Sequence, residues 1–275
     1  MSSLVVDTNL SAIAANNALN ATDANMTKAI QQLSTGLAVQ TAADGPAAYV
    51  QSQALQSQAN GYQQAISNAQ DGVSLVQTAS GALNQISSIL QTMNQLALNS
   101  ANGATQDATS LAANQQEFQA LQSDIHQIAT QTSFGTTQLL NGSFSNQTLQ
   151  VGAFAGQTIT LSISTATATS LGVGAGSVSV GSAASAQAAI SAVQNAISTV
   201  DSIEANVGAI QNELQAVAAN LTVGQQNLTA ANSQLVDVNM AQVMTSFSTD
   251  QILMQTGTAM LAQAQQAPQL ILKLI

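Results

Sequence analysis

Val193, Val200, Val207, Leu214, Leu221, Leu228 and Leu235 recur at every seventh residue without a miss. A ladder of that period predicts one long helix whose apolar residues form a narrow seam, and such a helix needs a partner to cover it. Ile190 and Ile197 supply the second position of the seam at its start; Ile203, Ile210 and Val217 take over further along, so the stripe drifts but persists. After Leu235 the count restarts out of phase at Met240, Phe247, Met254 and Leu261. The helical direction is therefore expected to continue into a second packing environment, with a domain boundary near residues 236–239.

The N-terminal half carries matching stripes. Leu19, Met26 and Leu33 are spaced by seven, as are Ile30 and Leu37. Ala69, Val76, Leu83 and Leu90 form another run beside Ile66 and Val73, and Leu111, Phe118 and Ile125 a third, with Leu121 and Ile128 offset by three residues. A chain that goes out as helices and returns as one long helix brings its two ends side by side.

Composition narrows the fold and the function together. Hydrophobic residues make up 45% of the 275, but only 3% are aromatic and much of the rest is alanine, which fits a slender mainly α rod better than a globule. Charged residues are 5%, against about a quarter in ordinary soluble domains. Lys28 and Lys273 are the only basic side chains besides His126, and the formal charge is −10. Nucleic-acid binding is excluded, because no basic patch exists to displace counterions from phosphates. Anionic lipid finds nothing to hold it either. Without cysteine there are no disulfides, no thiol catalysis and no thiolate metal site. The greasiest stretch, around residues 270–275, is far short of the ~18 residues that span a bilayer, so no membrane insertion is expected. The N-terminus lacks the pattern of a cleaved secretory signal, so an exported chain would leave by a route that does not cut it.

Punctuation divides the helices. Asp44, Gly45 and Pro46 close the first helical region and open the next, which runs to about Ser100 and stops at Asn102 and Gly103. Asp107 and Thr109 are candidate caps for a shorter helix ending near Thr130. Between Gln138 and Ser164 the period changes to two, with Leu149 and Val151, then Ile159, Leu161 and Ile163, on either side of Ala155 and Gly156; this predicts a β-hairpin. Residues 171–181 read as a connector.

Candidate sites are few. His126 has no second histidine or cysteine to share a metal and is expected on the surface or in a groove. Gly172, Gly174 and Gly176 lack the spacing and the lysine of a phosphate loop and are expected to form a flexible turn. Met240, Met244, Met254 and Met260 are expected to pack rather than to bind a soft metal. Seven Asn-x-Ser/Thr triplets begin at Asn9, Asn20, Asn25, Asn141, Asn146, Asn220 and Asn227, and several are expected on seams where a sugar has no room. Glu117 and Asp124, seven apart on one helix, are too distant for paired acid–base work. No catalytic constellation, cofactor site or metal site is found.

Several long stretches resemble bacterial flagellin. They are VDTNLSAIAANNALN at 6–20, QLSTGLAVQTAADGPAAY at 32–49, NAQDGVSLVQTASGALNQISSIL at 68–90, TSFGTTQLLNGSF at 132–144, LQVGAFAGQTITL at 149–161, and QILMQTGTAMLAQAQQAPQLILKLI at 251–275. The resemblance implies an inner coiled-coil polymerisation domain from residues 1–45 and 236–275, and a rod domain from 46–235 with its hairpin at about 138–165. Packing of the inner domain would rest on Leu19, Met26, Ile30, Leu33, Leu37, Met240, Phe247, Met254 and Leu261. It also implies self-assembly into an extracellular filament for swimming, with an export chaperone, a filament cap and hook–filament junction proteins as partners. Large outer domains, present in many members, have only 166–183 as their counterpart here. The family's basic residues after its STGL motif and in the first rod helix are replaced by Ala38, Val39 and Gln40, and by Thr92 and Asn94. Exposed ion pairs contribute about 0–1 kcal/mol each, against roughly 1.5–3 for a buried Leu or Ile, so assembly is expected to survive their loss. The surface that the vertebrate flagellin receptor reads in recognised relatives corresponds to Gln91, Thr92, Asn94, Gln95 and Leu96, where relatives present Arg and Glu.

Two functional classes follow: a filament subunit, or a secreted flagellin-related junction protein or adhesin that does not polymerise. The motifs at both ends and the lack of a separate binding domain favour the filament. Both termini are expected to order only on assembly. Charge starvation further predicts a filament suited to acid, because carboxylates with ordinary values near 4 are neutral at pH ~2–3 and few cations remain to repel. Asp23, in phase with Ile30 and Leu37, and Asp250, in phase with Val236 and Val243, are candidates for buried carboxylates that favour the neutral form.

Overall fold

The computed structural model describes residues 8–272, with side chains described through residue 266. The element order is α1 (Leu10–Thr35), α2 (Pro46–Ser100), α3 (Ala108–Gln131), β1 (Ser133–Phe134), β2 (Thr137–Gln138), β3 (Gln147–Gln150), β4 (Thr158–Leu161), α4 (Ala183–Val236) and α5 (Met240–Leu272). The fold is mainly α, with two small antiparallel sheets, β1–β2 and β3–β4. Two compact units divide inside α2 and α4: one holds Met1–Ser57 with Leu228–Ile275, the other Gln58–Asn227.

In the first unit α1 and α5 pack antiparallel. Their contact stripes follow alternating steps of three and four: Ala12, Ala15, Leu19, Thr22, Met26, Ala29 and Leu33 on α1, and Val243, Phe247, Asp250, Met254, Gly257, Leu261 and Ala264 on α5. That is the spacing of a coiled-coil seam. A Cβ on Gly257 would lie 3.2 Å from Leu19 Cδ1, so the glycine leaves the hole that leucine fills. Asn9 caps α1 by accepting the Ala12 N–H and donates from Nδ2 to the Ala264 carbonyl at 2.7 Å, tying the start of one helix to the far end of the other.

The first helix closes earlier than Asp44. Gly36 takes the left-handed conformation (φ 75°) and ends α1 at Thr35. Leu37 consequently lies outside the helix, in a backbone bridge to Asp237; the Ala38 N–H donates to Val236 O at 2.6 Å and the Val238 N–H to Gly36 O at 2.9 Å. Ile30 is 49% exposed and Met240 47%, so neither belongs to the seam within one chain. For Ile30 the reason is angular: Ala29 holds the seam position, and its neighbour is turned about 100° away. Met240 is in phase with Phe247 but is the first residue of α5, at the open end of the stripe. Asp23, in phase with Ile30, is exposed with it, whereas Asp250 sits half-buried on the α5 stripe.

In the second unit the C-terminal ladder is buried: Val193, Val200, Val207 and Leu214 are 0–1% exposed, and Leu221 is half-buried. Leu228 and Leu235, in the first unit, are half-buried. The stripe does not drift, because its second position is Ala189 and Ala196 from the start; Ile190 and Ile197 flank it half-buried. Ala69, Val76, Leu83 and Leu90 of α2 enter the same core with Phe118 and Ile125 of α3. Helices α2 and α4 run antiparallel: Gly224 admits the ring of Tyr62, where a Cβ would lie 2.8 Å from it, and ten residues further along α2 Gly72 faces Leu214, ten residues earlier on α4, where a Cβ would lie 3.1 Å from Leu214 Cδ1. Gln225 Nε2 also donates to Gln63 Oε1 at 2.6 Å.

The hairpin is β3–β4, with Leu149 opposite Ile159 and a left-handed Gly156 (φ 86°) in its turn. Ile159 and Leu161 point inward and alternate with exposed threonines. It seats on α2, where Asn68 Nδ2 donates to Gln150 O at 2.9 Å and two glycines, Gly61 and Gly72, face Ala153 and Leu149. The 171–181 stretch does turn at Gly172 (φ 75°) and Gly176 (φ 84°), and it is anchored to the body of the unit. Leu171, Val173 and Val180 are buried, and two glutamines one heptad apart on α3 hold it. Gln115 Oε1 accepts the Val180 N–H at 2.6 Å, and Gln122 Nε2 donates to the Gly174 and Val178 carbonyls at 3.4 and 3.3 Å.

Candidate polymerisation interface

Packing α1 against α5 uses one stripe of each helix and leaves the other faces open. On α1 these carry Leu10 (68% exposed), Ile13 and Ile30; on α5 they carry Met240, Met244, Ile252, Leu253 and Met260 (65% exposed). Eight of the thirteen exposed large apolar side chains among the described residues lie on this pair of helices, a concentration of the kind that marks an interaction surface, while Val50, Leu98, Phe134, Phe154 and Val223 are scattered elsewhere. Three of the four methionines expected to pack are on this outer surface, and only Met254 lies on the seam. Of the named inner-domain residues, Leu19, Met26, Leu33, Phe247, Met254 and Leu261 meet at the α1–α5 seam.

The turn after α1 is organised by charge. Lys28 Nζ lies 3.2 Å from Asp44 Oδ1, the one ion pair among the described residues. Asp44 Oδ2 also accepts the Thr41 hydroxyl at 2.9 Å, the Thr41 N–H at 3.0 Å and the Gln40 N–H at 3.3 Å. The Thr41 hydroxyl and N–H, then Lys28, hold the carboxyl down at about 2. Asp107 is likewise held below its ordinary value by Ser110, whose N–H it accepts at 2.7 Å as the cap of α3. A groove of about 320 Å³ between α1 and α5 is lined by Lys28, Gln32, Asn25 and Asp250, so Asp250 shares its surroundings with the cation.

The remaining candidates fall into place as surface features. His126, Glu117 and Asp124 are exposed, and no group of three metal-ligating side chains occurs among the described residues. Within one chain Asn20, Asn25, Asn146, Asn220 and Asn227 are exposed, and Asn9 and Asn141 are half-buried. Gln91, Thr92 and Gln95 are exposed on α2, with Asn94 and Leu96 half-buried beside them. No described helix is long and apolar enough to cross a membrane. Features that escaped the sequence reading are the small-residue half of each seam, Phe154, 57% exposed at the hairpin tip, the β1–β2 pair, and the anchoring of residues 174–180 by Gln115 and Gln122. Alanine, threonine and glycine at a steady 3-4 spacing were the available signal for the first.

Comparison with known proteins agrees with this architecture. The bacterial flagellin N-terminal helical region matches residues 6–145, and the bacterial flagellin C-terminal helical region matches 190–275. A flagellin of Halalkalibacterium halodurans is 36% identical over 248 residues, covering 90% of this chain and 91% of that one. Flagellin B of Vibrio cholerae is 42% identical over 158 residues, which are 58% of this chain and 42% of the relative, so the match spans less than half the length of that protein. The crystal structure of Bacillus cereus flagellin aligns with a TM-score of 0.51 at 29% identity, over 60% of this chain and 94% of that one. Helices from both ends paired in one unit, a long helical unit with a docked hairpin, and matches at both termini make this chain a member of the bacterial flagellin family, in a short form.

Proposed function

We propose that the chain is the repeating subunit of an extracellular flagellar filament. One observation carries the reading: the α1–α5 pair satisfies its own seam and still exposes Leu10, Ile13, Ile252, Leu253 and Met260. Each fully buried side chain of this kind stabilises a contact by roughly 1.5–3 kcal/mol, which favours stacking on further copies. Self-assembly through unlike patches that do not close produces an open helical polymer. The inner packing residues and the division into polymerising and rod portions belong to this proposal, as do the chaperone, cap and junction partners implied by the family. Negative-stain microscopy of concentrated protein tests it. Long uniform filaments are expected; a persistent monomer at every concentration and salt condition would favour a non-polymerising relative instead.

The filament is further proposed to tolerate strong acid. Twelve carboxylates face only two basic side chains besides the lone histidine, so protonation leaves little net charge to drive subunits apart. Asp44 deepens the reading. Its lowered value means its contribution to stability is complete above the ordinary 3.8 and is lost as pH falls through about 2, so the turn between α1 and α2 survives into acid. Light scattering from pH ~2 to pH ~8 should show filaments persisting throughout. Dissolution in acid with greatest stability near neutrality refutes the acid reading and leaves the filament reading intact.

A further inference from the structure

Three Asn-Gly pairs occur, Asn60-Gly61, Asn102-Gly103 and Asn141-Gly142, and the fold treats them differently. Glycine after asparagine leaves the following main-chain nitrogen unshielded, so the pair is the one most prone to imide formation in an unstructured chain. In a folded chain the reaction also requires the side-chain carbon to swing onto that nitrogen.

At Asn141 the side chain is tied at both ends. Its Oδ1 accepts the Ser143 N–H at 2.9 Å and the Ser143 hydroxyl at 2.6 Å, and its Nδ2 donates to Gln138 Oε1. Gly142 is locked at φ 92°, with Thr165 Cβ 3.2 Å from where its own Cβ would sit, and the preceding Leu140 is fully buried and accepts the Ala166 N–H. Asn60 lies inside α2, where the Gly61 nitrogen belongs to the helix and the glycine presses on Ala153. Asn102 differs in its side chain and in its place outside regular structure, although the Gly103 N–H does donate to Ala101 O across a short turn and a Cβ on Gly103 would lie 3.3 Å from Ala183 Cβ. It follows the end of α2 at Ser100, it is exposed, and its side chain makes no hydrogen bond among the described residues. Its backbone is held only by isolated turn contacts at the long end of the hydrogen-bond range: Asn102 N–H to Asn99 O at 3.2 Å, Gly103 N–H to Ala101 O at 3.1 Å and Thr105 N–H to Asn102 O at 3.3 Å. The Gly103 N–H must therefore leave a single two-residue contact rather than a helix ladder before it can react.

We infer that Asn102 is a site of spontaneous covalent modification, converting to aspartate and isoaspartate while Asn141 and Asn60 are protected by the fold. The Gly103 nitrogen, losing its proton to solvent base, attacks Asn102 Cγ. A C–N bond forms, the Cγ–Nδ2 bond breaks, and the amide leaves as ammonia after taking up a proton from water. Water then adds to either carbonyl of the five-membered imide, giving aspartate or, through the other bond, isoaspartate with an extra methylene in the main chain. Each event places a carboxylate just beyond the C-terminal end of α2, where the helix dipole is negative. The reaction is base-promoted, so an acid medium suppresses it. Asparagine is a labile residue for this reason. The inference stands apart from the filament proposal.

The test is peptide mass spectrometry of the full chain, held native in mildly alkaline buffer, native in acetate buffer, and unfolded in alkaline urea. Digestion uses chymotrypsin and elastase, since tryptic sites are scarce. Conversion reads as a gain of about one dalton, or about three in oxygen-18 water. In native alkaline protein, conversion at Asn102 is expected to exceed that at Asn141 and Asn60 by an order of magnitude; in urea the three should converge, and in acetate all should slow. Ser143→Ala, which removes one tie on Asn141, should accelerate conversion there, and Asn102→Gln should abolish the early acidic species on isoelectric focusing. Equal native rates at the three sites, no native conversion at Asn102, or an Asn102 preference that persists unchanged in urea would each overturn the inference.

Discussion

Glycine substitution inside the long helices separates packing from propensity with one type of change. Gly208 lies in α4 and Gly81 in α2, and a Cβ at either meets nothing within 4 Å. Gly61 lies in α2 as well, but its Cβ would come within 2.7 Å of Ala153 Cβ and 3.1 Å of Ala153 Cα. Alanine is favoured over glycine in a helix interior by about 0.8–1.0 kcal/mol. With that gain unopposed, Gly208→Ala and Gly81→Ala should each stabilise the second unit by about 0.5–1 kcal/mol, or roughly 1–4 °C at about 2–4 °C per kcal/mol. At Gly61 the obstacle includes main chain, which moves only if the hairpin tip lifts from α2. Overpacking of this kind costs about 1–3 kcal/mol, so the net effect of Gly61→Ala is a loss of up to about 2 kcal/mol. The assay is thermal and urea denaturation of monomer followed by far-UV circular dichroism. If Gly61→Ala raises the midpoint as Gly208→Ala does, the hairpin is not seated on α2 as described and the argument fails.

Other outcomes follow from the same structure. Leu214→Ala, at a fully buried seam position, should cost about 2–5 kcal/mol, seen as a lower urea midpoint at unchanged slope. Removing residues 240–275 strips the partner from α1 and should abolish polymerisation while far-UV circular dichroism still reports a helical Gln58–Asn227 unit; filaments from the truncated chain would contradict the proposed interface. Asp44→Asn should lower the melting temperature at pH above 3.8, the difference from the parent closing as pH approaches about 2. Monomer is expected to activate the vertebrate flagellin receptor weakly or not at all in reporter cells, because exposed Thr92 and Gln95 offer no charged hydrogen bonds; a response equal to that of a recognised flagellin contradicts this.

Large apolar residues at a seven-residue period were enough to locate the long helices. Val193 through Leu214, and Ala69 through Leu90, are buried where the period places them, because a helix repeats its face every two turns whatever it packs against. Alternation at Leu149, Ile159 and Leu161 likewise identified the hairpin, since a strand repeats its face every two residues. Which of two adjacent stripes becomes the seam was decided by tertiary packing. Ala29 took the contact and left Ile30 outside, and Gly257 was selected by the close approach of Leu19; hydrophobicity alone ranks those residues the other way. The 171–181 segment looked free because it lacks any period, yet Gln115 and Gln122 satisfy its backbone from a helix that lies far off in sequence. Periodicity thus determined the elements and their inward faces over most of the chain. The choice among neighbouring stripes, the seating of irregular segments and the identity of the exposed apolar surface depend on distances between residues remote in sequence, and only the folded chain sets them.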